Sequence, residues 1–334
     1  MISVIIPVFN VDRFIEKCLN SFAEQVYQNF EIVIINDGST DQSALIIQEY
    51  INRSNMRIRL INQKNSGVSV ARNKGIDEAL GEYICFVDAD DLVTPNYLDR
   101  MLDVITTEKC DLVFCGYKQV TEDFSEVNFD NKSVDKGQET INSNEALRKF
   151  LYNDFVTGIW SLMVGKSLIH DNTIRFSEGF RYSEDLEFIW KLLSDANSVT
   201  LIKDQLYIYR IRNGSAMSFV DSRRLDGYTL IQRLDKYFEY KCPDFSLEFK
   251  KYGQARWVWA TLWQTALSCN SFKQFSDEFK KYNSRELMSK LITYPKVKVS
   301  LTALIFCITP VVYYYLLRLF GERFLYGRKL NEKV

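Results

Sequence analysis

The chain has 334 residues, and its 42 Lys and Arg nearly balance its 43 Asp and Glu. Apolar residues make up 46% and charged residues 25%, the proportions of one large or two modest domains with a sizeable core. These figures exclude a disordered chain, a collagen-like chain and a protein that coats nucleic acid.

The first 118 residues alternate strands and helices. Ile2–Val8 reads as a buried, β-branched strand. Phe14, Ile15, Cys18, Leu19 and Phe22 recur at helical spacing between Asp12 and Gln25. A second strand, Glu31–Ile35, closes on the turn Asn36-Asp37-Gly38-Ser39, and a helix covers Asp41–Ile51. Arg57–Ile61 is a third strand, after which Ser66 is placed to cap a helix through about Ala79. Tyr83–Val87, the fourth strand, ends in the acidic run Asp88-Ala89-Asp90-Asp91. Pro95 suits the first turn of a helix to about Thr107, and Asp111–Tyr117 is a fifth strand. This order predicts βαβ units and a mainly parallel sheet.

Residues 119–140 are polar and read as a surface excursion. Beyond them the pattern predicts a helix near 143–152, an apolar stretch Ile159–Val164, a helix Glu184–Ser194 and two strands near 199–203 and 206–211. Residues 221–290 look helical, with Trp257, Trp259 and Trp263 as packing core. The domain reading is 1–218 for the α/β part, 219–295 for a helical region and 296–334 for a basic apolar tail.

The tail differs from the body. Residues 280–334 hold eleven Lys and Arg against three Asp and Glu, a net +8, which leaves −9 for residues 1–279. Residues 299–317 carry no charge and would make a helix of about 28 Å, close to the thickness of a bilayer core. Three readings are open: a helix lying on or re-entering the membrane, a true span, or a buried core helix kinked at Pro310. Tyr313, Tyr314 and Tyr315 suit a membrane interface. Seven scattered cysteines without a CxxC pair, and no visible signal peptide, suggest a reduced, cytosolic setting.

Polar residues gather at the ends of the strands, where open parallel sheets bind ligands: Asn10, Asp37, Asn65-Ser66-Gly67 and Asp88/Asp90. Asp88 and Asp90, two apart on an extended chain, can face one point while Asp91 turns away. Two hard carboxylates without His or Cys suit Mg²⁺ or Mn²⁺ with phosphates, or else form an ordinary turn before a helix. Asp37 can accept from a base N–H or serve its own turn. Arg72 can reach phosphate or base, or can be a solvent-facing helix charge. Glu184-Asp185 opens a helix whose dipole lowers a carboxylate's pKa, as a base that must stay ionised needs. Arg210 and Arg212 can share one side of an extended segment and hold a diphosphate, or lie solvated on an edge strand. The lone His170 leaves Ser and Cys without a histidine base.

The ordered set IIPVFN, IINDGSTD, NSGVSVARNKGIDEALGEYICFVDADD, SEDLEF and YRIRNGSAMS resembles family-2 glycosyltransferases with the GT-A fold, over about residues 1–220. The resemblance implies an α/β, Rossmann-like nucleotide-sugar domain followed by a helical C-terminal region. It implies that Pro7, Phe9 and Asn10 border the nucleotide, that Asp37 contacts uracil and that Arg72 meets the base or phosphates. Asp88 would hold the ribose or the metal's water shell, Asp90 would ligate Mn²⁺ or Mg²⁺, and Arg210 and Arg212 would approach the diphosphate. Asp185 would be the general base, with Glu184 its neighbour. The chain departs from the family pattern at Phe9, often Tyr, and in lacking the metal-binding His that some members carry near Arg212. The implied reaction is a single displacement with inversion, from a UDP-sugar to a glycan hydroxyl. The expected acceptor is lipid-linked, in surface polysaccharide synthesis at the cytosolic membrane face.

Other classes fit less well. A nucleotide-binding partner without activity would tolerate loss of acids that are all present here. A sugar nucleotidyltransferase would want a Gly- and Lys/Arg-rich loop after the first strand, where Phe9-Asn10-Val11-Asp12 stands. A dehydrogenase would need a G-x-G-x-x-G that is missing.

Overall fold

The computed structural model describes residues 1–122, 137–155, 158–211 and 224–325, with side chains through Gly321. The chain forms two compact units, Met1–Phe150 with Phe155–Asn213, and Leu151–Asp154 with Gly214–Val334.

The first unit runs β1 (Ile2–Val8), α1 (Ile15–Ala23), β2 (Phe30–Asn36), α2 (Ser43–Arg53), β3 (Arg57–Asn62), α3 (Val68–Glu78), β4 (Tyr83–Phe86), β5 (Leu92–Val93), α4 (Tyr97–Thr107), β6 (Leu112–Val120), β7 (Gln138–Asn142), α5 (Ser143–Leu151), β8 (Leu162–Gly165), α6 (Lys166–Asp171), α7 (Glu184–Asp195) and β9 (Ser198–Arg210). One sheet holds all nine strands, in the order β3-β2-β1-β4-β8-β6-β9-β5, with β7 paired to β9. The pairs β3–β2, β2–β1, β1–β4 and β6–β9 are parallel; β8 runs antiparallel to both neighbours.

β1 is buried along almost its whole length, as its β-branched character predicts. On one face Ile2, Val4, Ile6 and Val8 pack with the apolar stripes of α1 and α4. On the other, α3 lies against β1 and β2. Gly75 permits this approach, because a Cβ there would run into Ile5. Pro7 falls beyond the part of β1 that pairs with β4, so its missing N–H costs the sheet nothing.

Some boundaries differ from the sequence reading. Ser66 does not cap α3: its hydroxyl donates to Lys64, and Gly67, at φ 94°, takes the N-cap position. Pro95 lies two residues before α4. The two strands expected near 199–211 are one, β9. Its polar interruption survives because β6 shifts register around Gly116 and Asp204 is buried against Arg100.

The second unit is helical: α8 (Arg224–Lys241), α9 (Pro243–Ser268), α10 (Phe272–Phe279), α11 (Ser284–Lys290), α12 (Val297–Ile308) and α13 (Pro310–Leu325). Its core is aromatic, as expected of the tryptophans. Trp259 and Trp263 are buried, and Trp257 packs on Tyr228 and Tyr282. The uncharged stretch 299–317 is not one kinked helix. α12 ends at Ile308, Thr309 is extended (φ −150°), and Pro310 starts α13. Proline has no N–H to continue α12 but suits a first turn. Among the described residues no helix is long and apolar enough to cross a membrane. Tyr313 and Tyr314 are buried against Phe275; only Tyr315 is exposed as a membrane interface would require.

Candidate active site

The C-terminal ends of β1 and β2 are tied by their loops. Asn10, at φ 53°, donates its N–H to Ser39 Oγ at 3.1 Å and accepts from Thr40 N at 2.8 Å. Asp37 is buried and nearly saturated. Its Oδ1 accepts from Gln63 Nε2 (2.8 Å) and Ser66 N (2.7 Å), and its Oδ2 from Gly67 N (2.8 Å). Three of about four acceptor positions are thus occupied by the loop that starts α3. Phe9 lies at the same strand ends with 48% of its surface exposed, an open aromatic face where a planar base could stack. Pro7 is half-buried on β1.

A second cluster joins residues 72, 88 and 184–185. Arg72 is buried, so the solvent-facing alternative falls. Its Nη2 reaches Asp88 Oδ1 at 3.2 Å, its Nη1 reaches Glu184 Oε1 at 3.3 Å, and its guanidinium lies 5.3 Å from the Phe176 ring centre. Asp185 follows on the first turn of α7 and accepts from Leu186 N at 2.7 Å. Ser183, just before the acids, is a left-handed serine at φ 67°, a strained backbone of the kind that collects at functional turns.

The electrostatics correct one expectation. Burial raises the pKa of Asp185 in spite of Arg72 and the helix terminus, and so does not lower it. Burial, then the Asp185 charge, pushes Glu184 up to about 7 against the pull of Arg72. One guanidinium serves three carboxylates, and the deficit shows as a higher proton affinity.

Asp90 is half-buried, whereas Asp91 is buried and turned toward β9. Asp91 Oδ2 accepts from Tyr207 Oη at 2.7 Å and its Oδ1 from Arg210 N at 2.7 Å. Tyr207 Oη in turn accepts from Asp88 N at 3.2 Å, and the ring stacks on Trp160. This clamp holds the Asp88–Asp91 turn to β9. Arg210 is buried, not solvated on an edge: its guanidinium lies 4.6 Å from the Phe14 ring centre. Burial lowers its pKa, opposed by the charges of Asp90 and Asp91. Arg212 lies outside the described residues.

The structure therefore joins Arg72, Asp88 and Glu184 by direct contact, places Asp185 within reach of the Arg72 charge, and brings Asp90 and Arg210 to the same clamp. Asn10 and Asp37 belong to the neighbouring loop knot. Sequence reasoning missed Tyr207, Phe176 and Trp160. Nothing in a strand's alternation distinguishes a tyrosine that meets a distant carboxylate from one that packs.

The model of the family described as Glycosyl transferase family 2 matches residues 3–167. Glycosyltransferase GlyG of Streptococcus pneumoniae is 32% identical over 224 residues, which cover 65% of this chain and 73% of that protein. The chain belongs to glycosyltransferase family 2. The uncharacterized glycosyltransferase EpsJ of Bacillus subtilis is 35% identical over 214 residues, 63% of this chain; the match spans only 61% of EpsJ's own length. Among solved structures, Staphylococcus aureus TarS 1-349 in complex with UDP-GlcNAc superposes with a TM-score of 0.57 at 21% identity, covering 98% of this chain and 93% of that one. A mannosyltransferase from Pyrobaculum calidifontis, in complex with GDP-Man and Mn²⁺, gives 0.56 at 15% identity, covering 98% and 88%. At such identities the likeness establishes the fold, and the GT-A architecture expected from the sequence stands.

Proposed function

We propose that this chain is an inverting glycosyltransferase. It moves a sugar from a UDP-sugar to a hydroxyl of a lipid-linked glycan at the cytosolic membrane face, in surface polysaccharide synthesis. The observation that carries the reading is the cluster at the strand ends: Asp185 on the first turn of α7, beside Glu184, Arg72 and Asp88.

In this reading Phe9 stacks on the base beside Pro7, and the last acceptor position of Asp37 takes a base N–H. Arg72 meets the base or the phosphates, and Arg210 approaches the diphosphate. The acceptor oxygen forms a bond to the sugar C1 as the C1–O bond to the diphosphate breaks. Asp185 takes the acceptor's proton, a task suited by the higher proton affinity that burial gives it. Glu184 holds Arg72 in place.

Asp90 and Asp88 are the residues that would hold Mn²⁺ or Mg²⁺. Their chemistry fits, since both are oxygen donors, both are partly accessible, and a clamp fixes the turn between them. Among the described residues no group of three or more His, Cys, Asp or Glu could hold a metal ion, so diphosphate oxygens and water must complete the shell. A bound ion would neutralise charge developing on the leaving diphosphate.

The test is turnover of a panel of UDP-, GDP- and CDP-sugars with and without Mn²⁺, on wild type and Asp185→Asn. Metal-dependent turnover of a UDP-sugar, lost in the variant with UDP binding retained, supports the reading. Normal turnover in Asp185→Asn removes the base assignment, and UDP binding without turnover of any donor favours a partner protein without activity.

A further inference from the structure

Two features of the helical unit are unused by the reaction. The first is the outer face of the α12–α13 hairpin. The inner sides of both helices are buried through residues such as Phe306, Tyr313 and Tyr314. The outer sides are also apolar. Leu301, Leu304 and Ile308 recur at helical spacing on α12, as do Val312, Tyr315 and Leu319 on α13, and every one is exposed, Ile308 and Leu319 by 71% each. A helix pair with a buried apolar face and an exposed apolar face has a second partner still to meet.

The second feature is Arg256 on α9. Its guanidinium sits over the rings of Trp259 (4.7 Å) and Tyr294 (5.3 Å), yet its Nε and Nη1 are buried with no hydrogen-bond partner. Lys298, at the start of α12, lies 4.7 Å from the Trp263 ring centre. The Trp259 and Trp263 ring centres are 4.9 Å apart, so the two cations sit over adjoining rings, and burial lowers the pKa of both. Asp154, an acid close enough to act on Tyr294, is engaged by Lys296. Buried donors without acceptors are costly, and a phosphate group offers the planar guanidinium fork the oxygens it lacks.

We propose that the α12–α13 hairpin lies in the surface of an anionic bilayer and that Arg256 and Lys298 receive a lipid phosphate at its base. The inference rests on the membrane part of the function proposed above. A bilayer is favoured over a second copy of the chain by charge. Residues 280–334 carry a net +8 against −9 for residues 1–279, so two such faces would bring like charges together, whereas anionic headgroups attract them. A helix pair can lie in an interface, apolar side down, without spanning it.

The experiment is flotation of the full chain with phosphatidylcholine vesicles and with vesicles containing phosphatidylglycerol, alongside UDP binding and sedimentation velocity. Wild type should prefer the anionic vesicles. Arg256→Gln should cut that preference about fivefold, the factor worth roughly 1 kcal/mol per basic side chain at such a surface. Its melting temperature should move little, because two buried donors without acceptors go as the ring contacts with Trp259 and Tyr294 are lost, and Arg256→Lys should restore part of the binding. Ile308→Asp with Leu319→Asp should abolish binding to both vesicles; both positions are exposed, so the variant should fold. Inorganic phosphate at millimolar concentration should compete only weakly, since the hairpin supplies most of the affinity; full competition would make the site one for free phosphate and overturn the proposal. A wild-type dimer dispersed by the double aspartate variant, or equal binding to both vesicles, would also overturn it. Absent vesicle binding with intact UDP binding sinks this inference alone, while absent UDP binding sinks the transferase reading.

Discussion

Asp37 and the acids around Arg72 stand at the ends of the same sheet and are treated in opposite ways. Asp37 accepts three hydrogen bonds from one loop, two of them from backbone N–H groups. Asp88 and Glu184 share a single guanidinium, with Asp185 beside them, and burial leaves the acids of α7 with raised proton affinity. A carboxylate whose lone pairs are filled by its own fold is scaffold first. A carboxylate held short of partners keeps the capacity to exchange a proton or bind a cation.

The largest test of this contrast is Asp185→Asn, which should lower kcat about 10³-fold, within the range of a lost general base, and leave UDP affinity within about twofold. Steady-state turnover beside calorimetric UDP binding would measure both. Asp37→Ala should act on the fold. Stranding two backbone N–H groups and an amide should cost about 3 kcal/mol and lower the melting temperature by roughly 10 °C, read by thermal denaturation. Asp88→Ala in the same assay should shift it by no more than about 2 °C, because it relieves the crowding of acids while breaking one ion pair. Equal losses of stability in the two variants would erase the distinction.

The pH dependence sharpens it. Protonated acids cannot accept a proton, so kcat/KM should rise about tenfold per pH unit toward a plateau above about 7, with an apparent pKa that belongs to the Glu184–Asp185 pair. The Arg72 charge holds both acids down, so Arg72→Met should move that limb to higher pH. An unmoved limb would mean that another group titrates. Folding carries the opposite sign: Glu184 binds its proton more tightly folded than unfolded, so its contribution to stability is lost as pH rises from about 4.5 to about 7.

The smallest effect belongs to the clamp. Tyr207→Phe removes the hydroxyl that donates to Asp91 and accepts from Asp88 N. We expect about a tenfold loss in Mn²⁺-dependent UDP affinity, with metal-independent binding unchanged. A uniform loss in both would make Tyr207 a packing residue only.

Much of this molecule is legible along the chain. The alternation of β-branched strands with amphipathic helices determines the α/β order, because periodicity records which faces are buried. The turn residues after each strand mark where a ligand must sit, because parallel strands present their carboxyl ends together. What adjacency along the chain cannot carry was decided by packing. Arg72 became a buried hub because α7, about 110 residues later, brings Glu184 to it. The pKa of Asp185 rose because burial outweighed the helix terminus. The uncharged stretch 299–317 became two helices because Pro310 cannot continue the first and because Tyr313 and Tyr314 found a core to enter. Sequence sets local preference and spacing; desolvation and charge proximity exist only once distant segments meet.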